Sequence, residues 1–351
     1  MSEVGARKQA HLDLCAHGDV ESRGSTLLEE VHLLHEALPE LSVAEVDPGI
    51  TLFGRRLAAP IYISGMTGGT ERAGAINRAL AAAAQKAGFG FGLGSQRAMW
   101  TDPELASSYR VRDEAPDIAL LGNVGVVQAR TFGLAAVAEL VDAVGADALC
   151  VHLNAAQELV QDEGDRDFRG GLDTIAALVE SLPVPVVVKE TGCGLAPATL
   201  ARLRRCGVEW VDASGAGGTT WPGVEALRGS ARQRALGGIL REWGVPTAAS
   251  VAYARRAGLS TLASGGIRSA LDVVRSLALG AHAAGMALPF LRAYERGGAR
   301  ALAALCEELT EGVRALLLLT GAARPERLAA VPRALGPQLR AWLDVADGAL
   351  G

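Results

Sequence analysis

Three adjacent valines, Val186-Val187-Val188, run into Lys189 and Glu190, which places a cation where a buried strand meets its loop. A lysine there needs an anion to meet its charge. An ionised cofactor edge fills that need; a Schiff-base role and a plain ion pair with Glu190 are the rivals. The run Val151-His152-Leu153-Asn154 leads into Gln157 and Glu158. Glu158 is the best candidate metal ligand, because hard Mg²⁺ takes carboxylate oxygen alongside substrate phosphates. His152 reads equally well as a reacting group or as a hydrogen-bonded core histidine. Arg97, in Gly94-Ser95-Gln96-Arg97, lies just past another strand end, where a guanidinium clamps a diphosphate in bidentate fashion.

Anion cradles come late in the chain. Ser264-Gly265-Gly266-Ile267-Arg268 ends one strand and opens a helix, and Ala284-Gly285-Met286-Ala287 follows one strand later. Backbone N–H groups exposed by glycines at a helix start bind phosphate, and the last two loops of an α/β barrel are where a phosphate is commonly held. The glycine-rich stretch from Val211 to Thr220, with Ser214 and Thr219, completes the cup. On charge alone, Arg7-Lys8-Gln9-Ala10-His11 reads as a solvated tail.

These groups need a scaffold that brings many strand ends together. Eight short apolar runs serve: 59–64, 89–94, 118–123, 148–154, 184–190, 208–214, 260–265 and 282–287. Helical stretches such as 73–87 and 172–182 lie between them. Asp102-Pro103-Glu104 offers an N-cap with proline at the first helical position, and Ser269 with Asp272 has capping-box spacing. Leu302, Leu305, Leu309, Val313 and Leu316 mark a final helix ending near Gly321. An open doubly wound sheet requires one G-x-G-x-x-G turn, and Gly88–Gly94 (GFGFGLG) lacks that spacing. Polar residues at nearly every strand end, among them Thr67, Ser95 and Asn123, favour an α/β fold of the (β/α)8 TIM-barrel type.

The bulk numbers agree. A chain of 351 residues with 49% hydrophobic content suits one large barrel, and its 43 glycines are dispersed. A net charge of −5 with interspersed signs argues against nucleic acid as partner. Five scattered cysteines without metal-type spacing read as reduced thiols in a cytoplasmic protein. The polar N-terminus is no signal peptide, and no apolar run approaches the ~18 residues of a membrane span, so no membrane is expected as partner.

In order along the chain stand Met66-Thr67-Gly68-Gly69, Gly94-Ser95-Gln96-Arg97, Asn123-Val124-Gly125 with Val127-Gln128, and His152-Leu153-Asn154 with Gln157-Glu158. Gly164-Asp165 with Asp167-Phe168, Val188-Lys189-Glu190, Ser214–Thr219 and Ser264–Arg268 follow. This series, from Arg7-Lys8 to about Pro332, resembles the type 2, FMN-dependent isopentenyl diphosphate isomerases. The resemblance implies a substrate-contacting arm and lead-in over 1–58 and an FMN-holding barrel over 59–351. It implies FMN contacts from Gly65, Met66, Thr67, Ser95, Asn123, Lys189, Ser214 and Thr219, with Gly265, Gly266, Gly285 and Met286 around the cofactor phosphate. Arg7, Lys8, Ser95, Gln96, Arg97 and Gln157 face the substrate, Glu158 holds magnesium, and Gln157, His152 and Lys189 serve catalysis. It further implies NAD(P)H as reductant and a homo-oligomer, a tetramer or an octamer.

The implied reaction moves an allylic proton without net oxidation. No side-chain constellation looks acidic enough to protonate an alkene, a task the resemblance gives to N5 of reduced FMN, with N1 or N5 as base. Ala155-Ala156 stands where Pro-Leu is usual, Cys193 where an aromatic is common, and Gly65 where Ala or Ser precedes Met66; these positions are expected to shape the pocket. An FMN-dependent 2-hydroxy-acid oxidase requires a late His-Gly-x-Arg, where this chain has Gly215-Ala216-Gly217-Gly218-Thr219-Thr220, and its only late histidine is His282. A nucleotide dehydrogenase barrel requires a cysteine in that loop, and Ser214–Thr220 contains none.

Overall fold

The computed structural model describes residues 3–349. Eight parallel strands close into a barrel: β1 (Ile61–Ile63), β2 (Gly90–Gly92), β3 (Leu120–Gly125), β4 (Ala148–Leu153), β5 (Val186–Glu190), β6 (Trp210–Asp212), β7 (Ser260–Ala263) and β8 (Ala283–Met286). Each pairs with its sequence neighbour, and β8 closes on β1 through Ala284↔Ile61 and Met286↔Ile63. All eight expected runs are strands. They are apolar because helices cover one face and the barrel interior the other.

Side chains alternate across a strand, so every second residue points into the barrel. Its lower interior is filled by Tyr62, Leu121, Cys150, Val187, Leu262 and Ala283, and a hairpin of Ile50–Leu52 with Arg55–Leu57 seals this end. One step further along the strands the same face carries Ser64, Asn123, His152, Lys189 and Ser264. The barrel is apolar below and polar above.

Helix α1 (Glu3–His17) lies against this upper end. Its Leu12 and Cys15 are buried in the main core, so the expected solvated tail is a docked helix. Asp102 does cap a helix with proline at its start, but the turn is 3-10 over Pro103–Ser108, and the Ser269–Asp272 capping box forms. The helix expected to be last runs from Leu288 to Leu319, with non-helical backbone at Gly297 and Gly298, and another follows at Pro337–Ala349. Strand Val31–Leu33 pairs antiparallel with Arg333–Leu335, tying the lead-in to the C-terminal region. Among the described residues no helix is long and apolar enough to cross a membrane.

Candidate active site

The polar upper end of the barrel opens into a cavity of about 1530 Å³, counted to its open mouth. Its wall is built from strand ends, the loops after β6, β7 and β8, and one face of α1. Of the expected residues, Gly65, Met66, Thr67, Ser95, Asn123, Lys189, Ser214 and Thr219 line it, as do Gly265, Gly266 and Gly285. Arg7, Lys8, Arg97, His152, Gln157 and Glu158 line it too.

Gln96 does not. It is fully buried, its Nε2 donates to Leu140 O (2.8 Å) and its Oε1 accepts from Asn123 N (2.9 Å). The carboxamide braces main chain behind the wall, where no substrate reaches it. Met286 has its side chain in the core, and only its neighbours Gly285 and Ala287 border the cavity. Ala155, Ala156 and Cys193 lie outside the lining, so the expectation that they shape the pocket is not met. Gly65 does border it, and a Cβ there would stand 2.1 Å from Leu93 O, which explains the glycine.

At the floor, Asn123 Nδ2 donates to Leu93 O (2.9 Å), which turns its Oδ1 toward His152 Nδ1 (2.9 Å). The network therefore assigns the proton to Nδ1 and leaves the Nε2 lone pair available. Burial, aided by the Lys189 charge, lowers His152 to about 3, so the ring is neutral. Lys189 Nζ donates to the Glu190 carbonyl (2.7 Å). The Glu190 carboxylate instead accepts N–H groups from Thr191 (2.6 Å), Gly192 (2.8 Å), Cys193 and Gly194 (3.2 Å), and no Lys189–Glu190 carboxylate pair forms.

Three cations gather at the mouth. Lys8 Nζ donates to Tyr109 OH (2.7 Å) and Ser95 O (3.2 Å), while Arg7 is held by Gln161 (3.2 Å) and Glu163 (3.1 Å). Burial, then the charges of Arg7 and Arg97, lower Lys8 to about 7. Arg97 borders the cavity and makes no side-chain hydrogen bond or ion pair among the described residues. Arg7 has Glu163, but Lys8 touches only neutral oxygens and Arg97 has no anion among the described residues, which suits a multiply charged anion.

Across from them, Glu158 Oε1 accepts from Asn154 Nδ2 (2.8 Å) and Oε2 from Asp165 N (2.8 Å). The described residues contain no cluster of three or more His, Cys, Asp or Glu able to hold a metal. One carboxylate with neighbouring carboxamides fits Mg²⁺, which keeps waters and takes substrate phosphates. It does not fit a transition metal caged by protein.

The loops after β6 and β7 offer a second candidate anion site. Gly265 and Gly266 have φ of 92° and 73°, and their N–H groups have no acceptor among the described residues. A Cβ on Gly218 would meet Gly266 N at 2.2 Å, so this pair of loops can touch only as glycine. Free N–H groups beside the N-terminus of the long helix at Leu288 suit an anionic cofactor phosphate.

Glu225 and Trp221 were missed by sequence reasoning. Glu225 is fully buried and accepts from Gln157 Nε2 (3.0 Å), Gln161 Nε2 (2.6 Å) and Arg228 (2.7 Å), with His11 Nε2 at 2.9 Å. Burial pushes it up, but hydrogen bonds from His11, Gln157 and Arg228 win and bring it to about 2. The hub fixes Gln157 in the cavity wall, where its Oε1 also accepts from Asn154 Nδ2 (3.4 Å). His11 also meets the edge of Trp221, with ring centroids 5.3 Å apart. The available signal was spacing: residues 7, 8, 11, 12 and 15 fall on one helical face.

Comparison with known proteins bears on this geometry. Residues 123–331 match the FMN-dependent dehydrogenase family model. An isopentenyl-diphosphate delta-isomerase of Methanopyrus kandleri is 44% identical over 96% of this chain and 94% of its own. The isomerase of Halobacterium salinarum is 42% identical over 96% and 95%, and that of a Nostoc species 41% over 93% and 95%. Among solved structures, a mandelate oxidase at 22% identity superposes with a TM-score of 0.67, covering 93% of this chain and 96% of that one; this likeness concerns the fold alone.

Proposed function

From the premise that this chain belongs to the isopentenyl-diphosphate delta-isomerase family of the FMN-dependent type, we propose that it interconverts isopentenyl diphosphate and dimethylallyl diphosphate by a redox-neutral allylic proton shift. The observation that carries this reading is one cavity with two anion sites, the unpaired Gly265/Gly266 amides and the Arg7/Lys8/Arg97 cluster, separated by the polar barrel floor. One site suits the cofactor phosphate and the other the substrate diphosphate.

Reduced FMN supplies the acid–base group that no side chain here offers. The chain does the rest. Arg97 and Lys8 hold the diphosphate, and Arg7 joins them from α1. Glu158, with the substrate oxygens, would hold Mg²⁺, which would offset the diphosphate charge. Gln157, locked by Glu225 and Asn154, sets the alkene end of the substrate. His152 presents a neutral acceptor, and Lys189 in the cavity wall would supply positive charge favouring an anionic reduced flavin. Leu12, Trp221, Leu288 and Leu291 add apolar lining that keeps water from the hydrocarbon.

NAD(P)H is the proposed reductant, and the protein is proposed to act in the cytoplasm as a homo-oligomer, a tetramer or an octamer. Supporting this are five free cysteines and the apolar Ile239 and Trp243, 76% and 67% exposed, which association would cover. The oxidase alternative has only fold likeness behind it. His282 sits at the start of β8 against Trp210 (5.0 Å), at the sealed end of the barrel and far from the cavity. Incubation of the FMN-loaded, reduced protein with isopentenyl diphosphate and Mg²⁺ tests the reading: dimethylallyl diphosphate is expected, and no product under those conditions overturns it.

A further inference from the structure

Beneath the cavity floor, the Asp212 carboxylate is almost wholly excluded from water, at 1% exposure, and it does not belong to the cavity lining. Its Oδ2 accepts the Tyr62 O–H (2.7 Å), and its Oδ1 accepts the Ser264 O–H (2.6 Å) and the Ser214 N–H (3.2 Å). All three hydrogen bonds run into the carboxylate, the pattern of an acceptor-only group. No cation reaches ion-pair distance of it among the described residues. A buried charge without a paired cation is a poor way to stabilise a fold, since apolar residues of similar size pack there without desolvation.

Its place in the barrel gives it another use. Asp212 on β6 is the register partner of Lys189 on β5, and residues opposite one another on adjacent strands point the same way. Lys189 stands above in the cavity wall and Asp212 below it. Cys150 lies in the field of both: burial raises its thiol to about 12, with Lys189 opposing and Asp212 adding to that rise. Ser214, which donates to Asp212, has the left-handed φ of 36° and borders the cavity. Its carbonyl accepts the N–H groups of Gly192 (2.9 Å) and Gly194 (3.1 Å), so the carboxylate also anchors the junction of two site loops.

We propose that Asp212, clamped by Tyr62 and Ser264, is a positioning residue: a fixed negative charge under the floor that sets how strongly Lys189 favours the reduced, anionic cofactor. The proposal rests on the FMN reading above. Charge of opposite sign one strand from Lys189 weakens its pull on an anion above it, and low dielectric lets that effect act at full reach. The Tyr62 and Ser264 hydroxyls moderate the charge by binding it.

The test uses the full chain loaded with FMN and reads the two-electron midpoint potential, the reduced-flavin spectrum and the FMN affinity. Asp212→Asn removes the charge and is expected to shift the ratio of reduced to oxidised FMN affinity about tenfold toward the reduced form, a rise of about 30 mV. Tyr62→Phe strips a donor from the carboxylate and leaves its charge less screened, so its potential is expected to fall. Opposite signs are the signature. Unmoved potentials, or both variants moving the same way with matching losses of thermal stability, overturn the proposal. If Asp212→Asn does not fold, Tyr62→Phe and Ser264→Ala carry the test: both are expected to lower the potential, and no change overturns it. A wild-type chain that takes up no FMN overturns the cofactor reading and this proposal together, whereas bound FMN with unmoved potentials overturns this proposal alone.

Discussion

Lys8 sits under two constraints that an arriving diphosphate would relieve, burial and the like charges of Arg7 and Arg97. With the group lowered to about 7, most of it is neutral at pH 8, and an anion beside it favours the ammonium form again. Binding at pH 8 should therefore take up a proton, and affinity should fall as pH rises above 7. Calorimetry with inorganic pyrophosphate in buffers of different ionisation enthalpy reads the uptake. The wild type should take up more protons than Lys8→Met, and equal uptake would remove Lys8 from the site. The variant should also bind roughly 10- to 100-fold more weakly, the size of a lost charged hydrogen bond of about 1.5–3 kcal/mol. For Glu158→Gln, the Mg²⁺ concentration giving half-maximal activity should rise about tenfold or more while the flavin spectrum stays unchanged; an unaltered Mg²⁺ requirement would move the metal elsewhere. That Lys189, Glu158 and Arg97 line the cavity was legible, because a charge just past an apolar strand run falls at the barrel mouth. Gln96 was misread, since sequence places a residue past a strand but not the direction of its side chain. Glu225 was illegible: its partners His11, Gln157 and Arg228 lie on three different elements.

Helix α1 carries much of the substrate side of the site, held there by its packed face and by polar ties such as Arg7–Glu163, Lys8–Tyr109 and His11–Glu225. Leu12, buried at 3% exposure, anchors the face that bears Arg7, Lys8 and His11. Leu12→Ala should loosen that docking at a cost of about 2–5 kcal/mol, the range for such core truncations. KM for the diphosphate should rise at least tenfold while FMN affinity, set by the barrel loops, stays within about twofold. Equal loss of both would mean that α1 supports the whole fold. This helix was hidden by composition: Arg7-Lys8-Gln9 looks solvated until the 3.6-residue period of its buried face is noticed. Boundaries of the barrel strands were legible to within two or three residues, because burial on both faces leaves unbroken apolar runs. The helix at Pro337–Ala349 was missed, as a turn-rich stretch and a short strand, Arg333–Leu335, separate it from the preceding helix.

At the scale of the whole molecule, the barrel divides into an apolar half that holds it together and a polar half that does chemistry. On the proposed reading the glycine-rich loops after β6, β7 and β8 would hold one anion and α1 with the β2 loop another. Such an arrangement suits a cofactor and a substrate held face to face, and mandelate oxidase has the same scaffold. Scaffold alone does not choose the reaction; the proposed isomerase reading rests on Gly215–Thr220 standing where a His-Gly-x-Arg base would be and on the cations Lys8 and Arg97 at the cavity mouth. The decisive measurement follows isopentenyl diphosphate in D2O, with the FMN-loaded protein, Mg²⁺ and reductant well below the substrate concentration. Dimethylallyl diphosphate carrying deuterium should accumulate through many turnovers per reducing equivalent, and the oxidised protein should be inert. Consumption of one NAD(P)H for each product formed, or turnover by the oxidised protein, would contradict the redox-neutral proton shift.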